Sequence, residues 1–305
     1  MSSSIMWISV AVMIACLLFK MLFKKDNKIA FILCGAAWLL FGFYWVTLIP
    51  HFYVKADYVN IILVVLLFSF CLILSFYAVK SFKNEMQSKI DEKDEVDEKD
   101  EIDEKDEVDE TDKEDKKAGA LFDLTKLVAV VCLIYLPFQW IDFLNHALIE
   151  HIASQTVYLL NVFGFGAVQT AYDKISYNGV LLSVILACTA IESIAFFTGL
   201  VLTARRFGPK HQALAFLIVV PAIYVLNLIR NAFVVASSGD LWFGVNSFEI
   251  AHHYIGKAGS GVVLIVLAYV TLKLLPELMD TGSDLKDLVI DEVKGIFKIG
   301  KKEMK

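Results

Sequence analysis

The chain has 305 residues, 57% of them hydrophobic and 13% aromatic, where an ordinary soluble domain is roughly 45–50% apolar. The apolar residues fall in long blocks, which excludes an ordinary soluble domain and points to a polytopic membrane protein. The formal net charge of −6 is set by one segment: residues 91–117 hold 17 acidic and 6 basic residues, leaving 17 acidic and 22 basic residues elsewhere.

Seven apolar segments read as membrane spans, near 5–23, 29–50, 59–79, 124–144, 180–203, 212–236 and 252–275. Each is long enough to cross a hydrocarbon core of about 30 Å. The expected fold class is therefore all-α, a polytopic membrane helical bundle of about seven transmembrane helices. The first segment has no basic n-region and no small-residue cleavage site, and Lys24 and Lys25 follow it directly; it reads as an uncleaved span. Lys/Arg bias sets orientation. Lys24, Lys25, Lys28, Lys80, Lys83, Arg205, Arg206, Lys210 and the lysines of the tail all fall on one side of a seven-span chain. That side is expected to be cytoplasmic, with the N-terminus outside and the C-terminus inside. No nucleic-acid partner is indicated.

Between the third and fourth spans, "IDEKDEVDEKDEIDEKDEVDE" (90–110) repeats every six residues. Six steps of 100° do not align its Ile and Val residues into one helical stripe. The segment reads as a disordered, highly charged cytoplasmic linker. The division expected is a three-helix membrane segment (1–80), this linker (81–118), a second membrane core (119–276) and a cytoplasmic amphipathic tail (277–305). Within the outer loop 145–179, the first part is apolar but broken by polar residues, as in an interfacial helix or a re-entrant element.

The five cysteines, Cys16, Cys34, Cys71, Cys132 and Cys188, stand singly with no CxxC spacing, so neither a disulfide framework nor a zinc cluster is indicated. Four read as small apolar fillers; Cys188 has polar company. In the fifth expected span Cys188 lies in the outer half, and Glu192, four residues on, would share its helix face. Tyr224, Asn227, Arg230 and Asn231 share one face of the sixth span, with Pro221 expected to kink the helix below them. His252 and His253 open the seventh. A thiol, a guanidinium and an imidazole thus converge on the extracytoplasmic side. These groups suffice for cysteine acyl transfer. A nearby cation favours the thiolate, the imidazole moves protons, and the guanidinium meets the oxyanion.

The phrases "ACTAIESIAFFTGL", "PAIYVLNLIRNAFV" and "AHHYIGKAGS" together resemble the exosortase/archaeosortase membrane peptidases, most closely their archaeosortase A branch. The resemblance implies that Cys188 is the nucleophile, Arg230 the arginine of the N-x-x-R motif and His252 the third position, since it begins H-x-x-x-G with Gly256. His253 is the alternate base, and Glu192, Asn227 and Tyr224 are supporting candidates. The chain departs from the pattern at Ala190, where a Gly commonly follows the Cys-Thr or Cys-Ser pair. The implied partners are surface-protein precursors with a C-terminal signal: a Pro-Gly-Phe motif, a transmembrane helix and a basic cluster. The implied reaction removes that signal through a thioester on Cys188 and transfers the new C-terminus to a membrane lipid. It requires no metal or organic cofactor. The 91–117 tract would attract the basic cluster on the cytoplasmic side.

Two other readings compete. In one, Glu192 and Arg230 form a buried pair in a transporter or scaffold, and Cys188 is filler. In the other, His146, Glu150 and His151, with Asp142 as a further face-mate, build a metal-dependent protease, although "HALIEH" matches neither H-E-x-x-H nor H-x-x-E-H. The serines of "ASS" (236–238) lack a G-x-S-x-G context and offer no nucleophile.

Overall fold

The computed structural model describes residues 2–23, 28–94, 104–204 and 208–303. Among them six helical segments are long and apolar enough to cross a membrane: Ser4–Leu22, Lys28–Val54, Tyr58–Gln87, Asp112–Trp140, Gly208–Gly239 and Glu249–Leu274. The protein is a polytopic helical bundle, as its composition requires. In the hydrocarbon a helix satisfies every backbone N–H and C=O within its own segment.

The chain divides into two compact units, residues 1–129 with 279–305, and residues 130–278. In the first, α1 (Ser2–Leu22) and α4 (Tyr58–Asp94) pack on α2 (Lys28–Val46), with the short α3 (Ile49–Val54) between α2 and α4. Trp38, almost fully buried, donates its indole N–H to Thr125 Oγ1 at 2.9 Å. Thr125 lies in α5 (Glu104–Trp140). The C-terminal helix α10 (Glu277–Glu303) is held to α4 and α5 by charge. Lys80 Nζ meets the buried Glu292 carboxylate at 2.6 Å, and Lys117 Nζ meets Glu114 at 2.8 Å and Asp291 at 3.0 Å. The segment expected to be a disordered linker is helical where described, since α4 continues to Asp94 and α5 begins at Glu104. Residues 95–103 lie outside the described residues.

The second unit holds the rest: α6 (Asp142–Val162), three short strands, α7 (Ile191–Thr203), α8 (Gly208–Gly239), a π-helical segment Glu249–Gly256 and α9 (Lys257–Leu274). The expected fifth span, 180–203, is not one helix. Its first residues form β3 (Val180–Ser183), which pairs antiparallel with β2 (Lys174–Tyr177), itself paired with β1 (Val168–Ala171). A 3-10 turn, Leu186–Cys188, follows, and only then the 13-residue α7, about 20 Å long by helical rise. The cause is local. Asn178 and Gly179 have φ of 48° and 79°, the two left-handed residues of a type I′ hairpin, and they fold Val180–Ser183 back onto β2. The run is apolar enough for a span, but its start is committed to a sheet.

The unit is nevertheless ordered around α8. Gln212 near the start of α8 bonds the carbonyls of Val201 and Ala204 at the end of α7. At the other end, Asp240 Oδ1 accepts from both Tyr177 Oη and Asn178 Nδ2 at 2.8 Å. The bond to Asp240 raises the Tyr177 pKa, because it favours the protonated phenol. A methyl group on Gly239 would run into the Tyr177 ring, so glycine there lets the sheet sit directly on the helix end. Residues 180–203 therefore still pass from one end of α8 to the other. α8 itself runs unbroken through Pro221.

Candidate functional site

Cys188 ends the 3-10 turn. Its backbone N–H bonds Ile185 O at 2.8 Å, and Thr189 closes the turn by donating both its N–H and its hydroxyl to Leu186 O. The Thr189 hydroxyl in turn accepts the Ile191 N–H at 3.4 Å. Ala190 then adopts φ 59° and ψ 12°, the left-handed region that disfavours a Cβ by roughly 1–2 kcal/mol. This is the physical reason a glycine suits the position and the feature from which this chain departs. The left-handed step also corrects one expectation: Cys188 and Glu192 are not successive turns of one helix and share no helix face.

The Cys188 carbonyl is left free by the turn, and α8 supplies its partners. Asn227 Nδ2 donates to it at 2.8 Å and Asn231 Nδ2 at 2.9 Å. The asparagines are four residues apart and so lie one above the other on the helix. They sit about 18 and 12 Å from the sheet-bearing end of α8 by helical rise. Cys188 is half-buried and packs, as Tyr224 does, against an apolar cluster that includes Ile152 and Leu228. The other four cysteines are buried. Cys16 and Cys34 are more than filler, since their thiols contact Ala30 O at 3.2 Å and Thr125 Oγ1 at 3.3 Å.

Arg230 lies between the two asparagines in sequence. Its Nε is buried without a hydrogen-bond partner among the described residues. A Cβ on Gly256 would approach that Nε to 3.2 Å and the Ala251 carbonyl to 2.9 Å. Gly256 thus lets the guanidinium lie against the π-helical turn that carries His252, which gives H-x-x-x-G a steric reason. The His252 ring stacks on Phe248 with centroids 5.2 Å apart and an interplanar angle of 8°. It meets His253 edge-on at 4.8 Å. His253 turns toward Glu249, 3.9 Å away.

The turn of Cys188 and the π-turn of His252 are therefore both docked on α8, at Asn227/Asn231 and at Arg230. No hydrogen bond among the described residues joins Cys188 to Arg230 or His252. A cavity of about 600 Å³ lies beside them, with Asn227 and Arg230 in its wall.

Three other candidates sit elsewhere. Glu192 is exposed and accepts a hydrogen bond from Tyr135 Oη at 3.0 Å. No ion pair joins it to Arg230 among the described residues, so the buried Glu192–Arg230 pair of the transporter reading is not formed. Tyr224 Oη meets His151 Nε2 at 3.1 Å, and Gln155 meets the same nitrogen at 3.2 Å. His146 instead packs on Tyr172, ring centroids 4.5 Å apart. Among the described residues no three His, Cys, Asp or Glu side chains are grouped as metal ligands. Asn231 was legible only as a face-mate of Arg230; its bond to Cys188 has no signature beyond that spacing. His151 and Tyr135, the partners of Tyr224 and Glu192, carry no such signal.

The long apolar helices and the clasped thiol turn define a multi-pass membrane protein with a polar site against α8. The chain belongs to the exosortase family: residues 117–269, half of its length, match the family described as Transmembrane exosortase (Exosortase_EpsH). It is 26% identical to Archaeosortase A of Haloferax volcanii over 302 residues, covering 87% of each chain. It is 22% identical to Archaeosortase A of Natronomonas pharaonis over 297 residues, covering 87% of this chain and 82% of that one. No solved structure matches it.

Two outcomes are expected in detergent-solubilised protein. Removing one clasp, Asn227→Ala or Asn231→Ala, lowers stability by about 0.5–1.5 kcal/mol, and the double variant loses more than the sum because the carbonyl is then unpartnered. Thermal unfolding of the three variants measures this, and additive losses would remove the shared-carbonyl account. By the same assay, Ala190→Gly stabilises by up to about 1 kcal/mol while Ala190→Val destabilises, as a left-handed position requires.

Proposed function

We propose that the protein is a membrane cysteine peptidase/transpeptidase that cleaves C-terminal sorting signals of surface-protein precursors and passes the new C-terminus to a membrane lipid. The observation that carries this reading is the docking of the Cys188 turn and the His252 turn on the Asn227–Asn231 stretch of α8, which includes Arg230. Family membership and the names of the two relatives agree with it.

In this reading the Cys188 thiolate attacks the scissile carbonyl beside a Pro-Gly-Phe-type motif, and Arg230 stabilises the oxyanion. His252 protonates the departing amine as the C–N bond breaks and the thioester forms. An amine-bearing lipid or water, losing its proton to the same base, then attacks the thioester and frees the thiolate. His253 is the alternate base. Asn227 and Asn231 position the nucleophile, while Tyr224 supports the site through His151. The site faces the extracytoplasmic side, as Lys/Arg bias sets it. The substrate's helix packs laterally against the 119–276 core, and the acidic 91–117 tract attracts its basic cluster.

The test is processing of a tagged surface protein bearing such a tail, in cells expressing the parent chain, Cys188→Ala or Cys188→Ser at equal membrane abundance. Both variants are expected to accumulate full-length precursor, with processing reduced at least about 10³-fold for the lost nucleophile. Unchanged processing in both would overturn the assignment.

A further inference from the structure

Two of the segments long and apolar enough to span, Gly208–Gly239 and Glu249–Leu274, are separated only by residues 240–248. With both flanks crossing, this short connection, "DLWFGVNSF", stays at the membrane surface. Its one ionisable side chain is Asp240, whose carboxylate is already taken by Tyr177 and Asn178. The apolar side chains that follow do not turn inward. Leu241 is 55% exposed, Trp242 51% and Val245 94%, and Phe243 is exposed as well. Trp242 meets Phe233 of α8 at a centroid distance of 5.8 Å, one helical turn beyond the exposed Ile229. The tip is thus continuous with an apolar, outward-facing side of α8.

The polar groups of the loop are instead closed off within it. The Trp242 N–H bonds Ser237 O at 3.1 Å, and the Gly244 N–H bonds Leu241 O at 2.8 Å. The hydroxyl of the buried Ser247 accepts the Phe243 N–H at 3.0 Å and donates to Gly244 O at 2.6 Å. A tip with apolar side chains outside and a satisfied backbone inside loses little by leaving water and gains by entering hydrocarbon. Leu241 also adopts φ 52°, a left-handed conformation that is strained for a residue with a Cβ. Its side chain stays exposed, so the strain secures no burial within the protein; such strain persists where the surroundings demand it.

We propose that Leu241, Trp242, Phe243 and Val245 form an apolar finger seated in the lipid leaflet at the C-terminal end of α8. The finger reaches about 5–10 Å into the boundary between headgroups and acyl chains, a zone where Trp is favoured because its ring is apolar and its N–H is polar. Phe248 ends the loop and stacks on His252, so the seated finger sets the height of the π-helical turn relative to the lipid. It requires no thiol chemistry and stands whether or not the chain cleaves peptides.

The experiment places an NBD fluorophore on the introduced thiol of full-length Cys188→Ala, Val245→Cys protein in phosphatidylcholine vesicles. The four remaining native cysteines are buried. The same label on Lys286→Cys, an exposed position of α10, serves as the water reference. At position 245 the label is expected to be quenched by phosphatidylcholine carrying a nitroxide near the top of its acyl chains and to resist aqueous iodide. The label at 286 should behave in the opposite way. Adding Leu241→Ser and Trp242→Ser should lose the lipid quenching at 245 and admit iodide. Iodide quenching at 245 equal to that at 286 overturns the proposal and leaves a loop in water. Shielding from both quenchers overturns the lipid in favour of a second copy of the chain. Unchanged depth in the serine variant overturns the finger, since the flanking helices alone would then set the position of the loop.

Discussion

The site depends on how one backbone carbonyl is satisfied against an apolar helix. Buried non-helical backbone survives only where protein or water supplies hydrogen-bond partners. Residues 184–190 are such a stretch, with a 3-10 turn and a left-handed alanine separating β3 from α7. The Cys188 carbonyl would be orphaned there, at a cost of about 1–3 kcal/mol, without the two amides of α8. Because these amides project from a long rigid helix, they fix the height of the turn as well as satisfying it. The same five-residue stretch of α8 that clasps the carbonyl, Asn227–Asn231, carries Arg230. The nucleophile candidate and the cation are therefore placed by one helix.

A second irregularity completes the arrangement from the other side. Glu249–Gly256 is π-helical, a rare form that recurs at functional sites because the extra residue per turn re-aims side chains. Here it precedes α9, and its last residue, Gly256, leaves room for Arg230 Nε. His252 is held by stacking on Phe248 rather than by a carboxylate; the acid in this segment, Glu249, serves His253. At the C-terminal end of α8, Asp240 ties down Tyr177 and Asn178, so the sheet leading into the thiol turn is anchored to the helix that clasps it.

Much of this was legible in the sequence, and the failures have physical causes. The long apolar blocks gave the spanning helices because composition over about 20 residues is what the bilayer selects. The one-face grouping of Tyr224, Asn227, Arg230 and Asn231 was readable because α8 is a regular helix with a fixed 100° step. The 180–203 segment misled because hydropathy does not distinguish a strand and turn from a helix when both are apolar. The corrective signal was present in Asn178-Gly179, a hairpin dipeptide between "KISY" and "VLLS". Pairing Glu192 with Arg230 rested on helical continuity, which the left-handed Ala190 breaks. Tyr135, which takes Glu192 instead, is 57 residues away in sequence, and no local pattern announces it. The acidic repeat argued for a linker by its charge, yet its described flanks continue α4 and α5 as helix. Charge density reports solvation, and a solvated segment can still extend a helix that the membrane has already nucleated.

The central claim is that Cys188 carries the acyl group. The most direct test is acid quenching of the protein during turnover of a peptide bearing the C-terminal signal, followed by intact-mass and peptide mapping. The account predicts an adduct of the substrate's upstream portion, joined to Cys188 through its new C-terminal carbonyl, that hydroxylamine removes, as a thioester requires. An adduct on another residue, or turnover with no hydroxylamine-labile adduct under conditions that slow its release, would contradict it.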